Sequence, residues 1–413
     1  MLATPELVLE ATQLVRLSER FSEWRRLPFY AERLPADDVL TRERLASLPV
    51  ITKREVHEGF HLNFLPSAEK LESWLDRNEL ELEHTSGTSE ERVAVLFRTG
   101  WWNEQERRAL RLNRLVAGVL DQSPEARRAT LTTPACNGRS CPVVWQPARQ
   151  RTFGSTLFVN FARIPFLLED RELERMVQEI LDWSPQFLDL SPVHGARLAL
   201  YCEEHGIRFP TVRFLLCSYE FVSVVHRRIL ERAFGLPVFG LYGSTETGHL
   251  LMENESGILV PCHDNAFLEV VNADSDNIGD LVVTPLTNDA MPLLRYRIGD
   301  LVERREEPYR TTYRVHGRSR DALRRRDGRR ITTLQVDECF RGIHGIQHYQ
   351  LRQSADGLHL RFIPDGPGPG QAALQTVTSR LEDLIQPGEP VRVETADVLV
   401  PAHSGKFRLT CPD

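Results

Sequence analysis

The 413-residue chain is long enough to bury a sizeable core and to hold about two or three domains. Its 51 basic and 58 acidic residues are interspersed and leave a net charge of −7, which excludes a generally nucleic-acid-binding surface. No apolar run approaches the ~18 residues of a membrane span, and Met1–Phe21 carries acids where a signal peptide needs a basic start, so the expectation is a cytoplasmic protein without a membrane partner.

The first eighty residues read as helices. Leu7, Leu9, Thr12, Leu14, Leu17 and Phe21 form an apolar stripe that Pro28-Phe29-Tyr30 ends. Thr52 with Glu55 three residues on has the capping-box arrangement, and a further helix is predicted over Leu71 to Leu80. From Glu83 a hydroxyl-rich, glycine-containing loop feeds an apolar run. Helix-like Trp101–Val119, Glu172–Leu181, Gly195–His205 and Val225–Phe234 then alternate with strand-like Ala129–Thr133, Phe187–Leu190, Val212–Cys217 and Pro237–Tyr242. Such alternation predicts an α/β core.

After Gly248 short β-like runs dominate: 267–271, 280–286, 293–306 and 309–318, with a turn signal at Asn277-Ile278-Gly279-Asp280. They predict a smaller β subdomain. Asp327-Gly328 signals a hairpin, and Gly366-Pro367-Gly368-Pro369-Gly370 a turn that lacks the spacing of a dinucleotide loop. The seven cysteines are scattered and never form a CxxC pair, which reads as reduced thiols. Cys262-His263-Asp264 is the nearest approach to a metal cluster, but adjacent residues seldom ligate one ion, so zinc is not expected there.

Four stretches carry chemistry. In Leu236–Gly248 an apolar strand runs into Gly243-Ser244-Thr245-Glu246, a turn with donors, acceptors and a carboxylate suited to Mg²⁺ and a polyphosphate. Taken alone, it is equally a strand leading into a solvated turn. Glu83–Ser89 sets backbone amides beside several hydroxyls, as a loop cradling phosphate oxygens does, although a surface serine/threonine turn has the same composition. Tyr296-Arg297-Ile298-Gly299-Asp300 puts a carboxylate just after a glycine, where it could accept ribose hydroxyls. Pro401–Arg408 presents one lysine, Lys406, in a loop near the C-terminus.

Together and in this order the stretches resemble the adenylate-forming superfamily of acyl-CoA synthetases, luciferases and peptide-synthetase adenylation domains. Ser86-Gly87-Thr88 is similar to its phosphate loop, Tyr242–Glu246 to its core motif, Tyr296–Asp300 to its YRTGD-like motif, Gly317-Arg318 to its hinge-region motif and Ser404-Gly405-Lys406 to its catalytic-lysine loop. The runs RRLPFYAERL and SLPVITKREV resemble the N-terminal region of the phenylacetate-CoA ligase-like branch, and the similarity spans nearly the whole chain.

The resemblance implies an α/β fold with a large N-terminal adenylation domain, residues 1–319, made of α/β layers plus a small β subdomain. A small mobile α+β domain, 320–413, would carry the catalytic lysine. It implies that ATP and a carboxylic acid condense to an acyl-adenylate, whose acyl group passes to a thiol, either CoA or the phosphopantetheine of an acyl-carrier protein. By motif, Ser86, Gly87, Thr88 and Ser89 would contact phosphates, Glu246 would hold Mg²⁺ beside Thr245, and Tyr242, Gly243 and Ser244 would line the nucleotide site. Asp300 would bind the ribose, Arg318 would assist, Ser218, Tyr219 and Glu220 would lie near adenine, Arg320 would be the hinge, and Lys406 would bridge carboxylate and α-phosphate. A homodimer is left open.

The chain also departs from the pattern. Glu90-Glu91-Arg92 stands where the phosphate loop usually has a second glycine and a lysine; an arginine occupies the hinge; Ser218 and Tyr219 replace small residues. The alternative is a degenerate relative that binds nucleotide or acyl-adenylate without catalysis. A basic cluster, Arg318, Arg320, Arg324, Arg325, Arg326, Arg329 and Arg330, could be a nucleic-acid patch, but its place beside the hinge favours a contact for an anionic acceptor, and a plain solvated face has the same composition.

Overall fold

A computed structural model describes residues 5–35, 39–65, 68–85, 93–123, 125–132, 146–159, 162–307, 310–385, 390–402 and 404–412. It is a mixed α/β chain that divides into two compact units, each discontinuous: Met1–Arg114 with Leu241–Arg314, and Leu115–Gly240 with Val315–Asp413. The chain passes from one to the other three times, at the start of helix Arg114–Gln122 and inside strands Val238–Ser244 and Arg310–Arg318.

In the first unit the expected N-terminal helix spans Pro5–Trp24, and its stripe is buried at Leu17 and Phe21. The short helix Lys53–His57 has the predicted capping box: the Glu55 carboxylate accepts from the Thr52 N–H at 2.9 Å and from its hydroxyl at 2.8 Å. Strands Leu80–His84 and Ala94–Arg98 form an antiparallel pair ending at His84 opposite Ala94. The β-rich part is an antiparallel sheet in which the end of Val238–Ser244 is followed by Gly248–Glu253, Leu259–Pro261, Arg310–Arg318, Tyr296–Glu307, Ile278–Pro285 and Ala266–Val271. This is the β subdomain that the alternating runs predict.

In the second unit Arg128–Leu131, Phe187–Leu190, Phe214–Cys217 and the start of Val238–Ser244 are parallel, as helix–strand alternation demands. The crossover helix Asp170–Trp183 buries Leu173, Met176, Val177 and Ile180, one face of a 3.6-residue period. Helix Val224–Phe234 starts at Ser223, whose hydroxyl accepts from the Val225 N–H at 3.1 Å, and stops at left-handed Gly235. The C-terminal part has a four-stranded sheet, Arg392–Thr395, Gly357–Pro364, Ile346–Ser354 and Thr410–Pro412, with helices Thr333–Glu338 and Gln371–Ile385. Its apolar residues, Phe340, Tyr349 and Leu360 among them, join one core with Leu188, Leu215 and Ile229. Asp337 ties the same parts by polar bonds. It accepts from the Ser223 hydroxyl, from the Val224 N–H at 2.8 Å and from the Tyr349 hydroxyl at 2.8 Å. Burial raises its carboxyl to about 6 against the pull of these donors.

Three expectations need correction. The helix expected over Leu71–Leu80 spans Ala68–Asp76, because Asn78 (φ 55°) takes the left-handed conformation that ends it and frees Leu80 to begin a strand. Trp101–Val119 is two helices, Trp101–Leu110 and Arg114–Gln122. The break sits at Asn113, fully buried, whose side-chain amide donates to the Glu253 carbonyl at 3.0 Å; a helix continued through it would give up that bond. The turn expected at Gly243–Glu246 starts later: the strand runs through Ser244, and the Thr247 N–H closes the turn onto the Ser244 carbonyl at 3.2 Å.

Candidate active site

In the first unit two motifs meet by exchanging tyrosines. The Tyr242 hydroxyl donates to Asp300 Oδ2 at 2.7 Å, and the Tyr296 hydroxyl donates to Glu246 Oε1 at 3.0 Å. Tyr296, Ile298 and Asp300 are all buried, in a stretch where the strand pairing shifts register between Arg297 and Leu301 and Gly299 takes φ 87°. Each carboxylate is thus anchored by the other motif's phenol. Glu246, only 4% exposed, also carries the Lys53 ammonium 3.0 Å from Oε1. A buried carboxylate persists in charged form only where donors and an opposite charge offset its lost hydration, and Tyr296 and Lys53 supply both.

Gly243 is required by close approach: a Cβ there would stand 2.2 Å from the Gly248 carbonyl oxygen across the turn. Thr245 lies in the turn itself, and the Ser244 and Thr247 hydroxyls are 2.9 Å apart. Glu246, Ser244 and Thr245 are hard oxygen donors, the kind that suits Mg²⁺. Among the described residues no group of three or more His, Cys, Asp or Glu could hold a metal ion. The expected phosphate contacts Ser86, Gly87, Thr88 and Ser89 lie outside the described residues, as do Glu90, Glu91 and Arg92. Thr85, at the edge of that segment, is buried, and its N–H donates to the Val93 carbonyl at 2.9 Å.

In the second unit Ser218 and Tyr219 converge on Asp189, donating to Oδ1 at 2.7 Å and Oδ2 at 2.9 Å. Asp189 is buried on the adjacent parallel strand, with an Arg128 guanidinium nitrogen 3.9 Å away. Glu220 turns elsewhere: the Ser191 hydroxyl donates to Oε1 at 3.0 Å and the Phe407 backbone N–H to Oε2 at 2.9 Å. Gly317 has φ 93°, and a Cβ would stand 2.8 Å from Thr333 Cβ, so only glycine fits before Arg318. Arg320 is exposed in the following short turn. Burial raises the Asp321 carboxyl, while Arg408, 2.8 Å away, and Arg320 pull it down. The Lys406 loop is closed on itself by Ala402 N–H donating to the Lys406 carbonyl at 2.8 Å and Gly405 N–H to the Ala402 carbonyl at 2.9 Å.

Lys53, the phenol of Tyr296 as a partner of Glu246, and Asp189 escape the sequence reading. Lys53 directly follows the capping residue Thr52 inside SLPVITKREV, but nothing local shows that it reaches residue 246.

These features define a class. The fold is that of the acyl-CoA ligases that work through adenylates: 2-hydroxyisobutyryl-CoA ligase with its acyl-AMP bound, in the postadenylation state, superposes with a TM-score of 0.70 at 17% identity, covering 94% of this chain and 86% of that one. Anthranilate CoA ligase AuaEII with anthranoyl-AMP gives 0.59 at 13% identity over 80% of this chain and 66% of that one. Among curated proteins the chain is 27% identical to Protein CapK of Staphylococcus aureus over 205 residues, 47% of this chain and 45% of that protein. It is also 27% identical to the phenylacetate-coenzyme A ligase of Escherichia coli over 207 residues, 46% of this chain and 47% of the ligase. The matches thus span just under half the length of these curated relatives. No family model matches. Sequence similarity and fold together bear out the resemblance to the adenylate-forming superfamily and its phenylacetate-CoA ligase-like branch.

Proposed function

We propose that this chain is an AMP-forming acid–thiol ligase. The carboxylate oxygen of a small acid attacks the α-phosphorus of ATP, the bond to the β-phosphate breaks, and pyrophosphate leaves. The acceptor's thiolate then attacks the acyl carbon and AMP departs, the thiol proton going to solvent. The observation that carries this reading is the reciprocal tyrosine–carboxylate pairing, Tyr242 with Asp300 and Tyr296 with Glu246, on a chain with this ligase fold.

In this reading Asp300 binds the ribose and Glu246, beside Thr245, holds Mg²⁺, with ATP and CoA as the other cofactors. Bound Mg²⁺ supplies neutralising charge for the polyphosphate. Lys53, already paired with Glu246, adds a second positive charge on the same side. Ser218 and Tyr219 belong to the nucleotide side, and 320–413 turns about Arg320 between the half-reactions. The positive φ of Gly317 and the exposure of Arg320 support a pivot there. Five described cysteines are free and buried, which supports a reducing, cytoplasmic setting; among the described residues no helix is long and apolar enough to cross a membrane.

ATP–pyrophosphate exchange across a panel of acids tests the reading and ranks substrates. An aryl or arylacetic acid is expected to give the highest rate, because the resemblance is to the phenylacetate branch and Tyr219 is bulky. A best rate with a C12 or longer acid removes the short-pocket idea. Nucleotide binding with no exchange for any acid would instead select the non-catalytic relative.

The acceptor side has its own prediction. Strands Leu323–Arg324 and Arg330–Ile331 form the expected hairpin, with Arg324, Arg326 and Arg329 exposed and Arg325 3.4 Å from Asp327. Replacing Arg324, Arg325 and Arg326 by glutamine should slow thioester formation roughly tenfold and leave adenylate formation nearly unchanged, with added salt acting alike. Equal loss in both half-reactions would point to damaged folding instead.

A further inference from the structure

The motif match sends Glu220 to adenine, but its carboxylate reaches the loop that carries Lys406. Oε2 accepts the Phe407 N–H at 2.9 Å, one residue from the lysine, and Oε1 accepts from Ser191 at 3.0 Å. The Ser191 hydroxyl oxygen also lies 3.0 Å from His194 Nδ1, and His194 Nε2 lies 3.0 Å from the Ala162 carbonyl oxygen. The loop is fastened twice more. Arg163 donates to the Ala402 carbonyl at 2.8 Å, and the Phe407 ring packs edge-on against Phe166 and His348 at 5.5 and 5.1 Å between centroids. Of these ties only the Glu220 bond is made by a carboxylate to backbone beside Lys406. Charge-assisted bonds of this type are about twice as strong as neutral ones and fix direction as well as distance.

We propose that Glu220 is a positioning residue for Lys406: it latches the Phe407 backbone and thereby holds the ammonium-bearing loop in the form used for adenylate formation. The inference rests on the ligase reading for its kinetic consequence but not for the latch itself. A side chain that only served adenine binding would alter the KM for ATP. A latch alters turnover in one half-reaction.

Glu220→Ala should lower the kcat of ATP–pyrophosphate exchange on the order of tenfold, with the KM for ATP within about twofold. Thioester formation from supplied acyl-adenylate should be spared. Glu220→Gln keeps a carbonyl oxygen for the Phe407 N–H and should recover most of the loss. Hydrogen exchange at the Phe407 amide, read by NMR in the full chain, should speed up in Glu220→Ala and return towards the parent rate in Glu220→Gln. A rise in KM without a fall in kcat, equal loss in both half-reactions, or a glutamine variant as impaired as the alanine one each overturn the proposal. Amide exchange separates the two levels: unchanged Phe407 protection in Glu220→Ala removes the latch whatever the enzyme does, whereas lost protection in a chain that exchanges no pyrophosphate keeps the latch and removes the ligase reading.

Discussion

Lys406→Ala is expected to lower acyl-adenylate formation by about 10²–10³, the usual cost of losing one donor aimed at charge that builds in a transition state. A carboxylate attacking an α-phosphate brings two anions together, and an ammonium between them offsets repulsion that neither ground state feels. On the proposed reading the 401–408 loop presents that ammonium. Gly405 takes φ 83°, the Lys406 carbonyl accepts from the Ala402 N–H, and the Phe407 N–H donates to Glu220. ATP affinity should change little, because the nucleotide contacts assigned to Asp300 and Tyr242 lie in the other unit. Thioester formation from supplied acyl-adenylate should survive, since that step breaks no bond at phosphorus by anion attack. Pyrophosphate exchange and thioester formation, measured separately, check this. Near-normal exchange would remove Lys406 from the reaction and with it the rotation of 320–413.

Much of this was legible because the deciding signals are local. Helix Asp170–Trp183 follows from its own period, hairpin 323–331 from Asp327-Gly328, and the capping box from Thr52 and Glu55. Failures occur where a distant residue decides. Asn113 breaks a helix because its amide finds Glu253, 140 positions away, and no periodicity records that. The ordered motifs nominate Glu246 and Asp300, but their cross-pairing through Tyr296 and Tyr242 joins residues 50 and 58 apart. Lys53 reaches Glu246 from a helix whose own pattern is satisfied by capping. Glu220 shows the converse: a motif nominates it for the adenine side, while its observed bonds run to Ser191 and Phe407, which the motif does not contain.

Glu246→Gln should depress adenylate formation by roughly 10²–10³ at low Mg²⁺ and shift the Mg²⁺ requirement to higher concentration. The amide is nearly isosteric, and its carbonyl oxygen can still accept from Tyr296, so the fold around the turn should hold. What is lost is the negative charge. In this structure that charge balances the Lys53 ammonium 3.0 Å away, and on the proposed reading it would also attract a divalent ion. Removing it leaves Lys53 as an uncompensated cation where the metal would sit, so repulsion adds to the lost ligand. Lys53→Met in the Glu246→Gln background separates the two. If repulsion contributes, the double variant should need less Mg²⁺ than Glu246→Gln alone, though more than the parent chain, and titrations of exchange rate against Mg²⁺ read both shifts. An unchanged Mg²⁺ titration in Glu246→Gln would take this carboxylate out of the metal site and leave it as the structural partner of Tyr296 and Lys53 only.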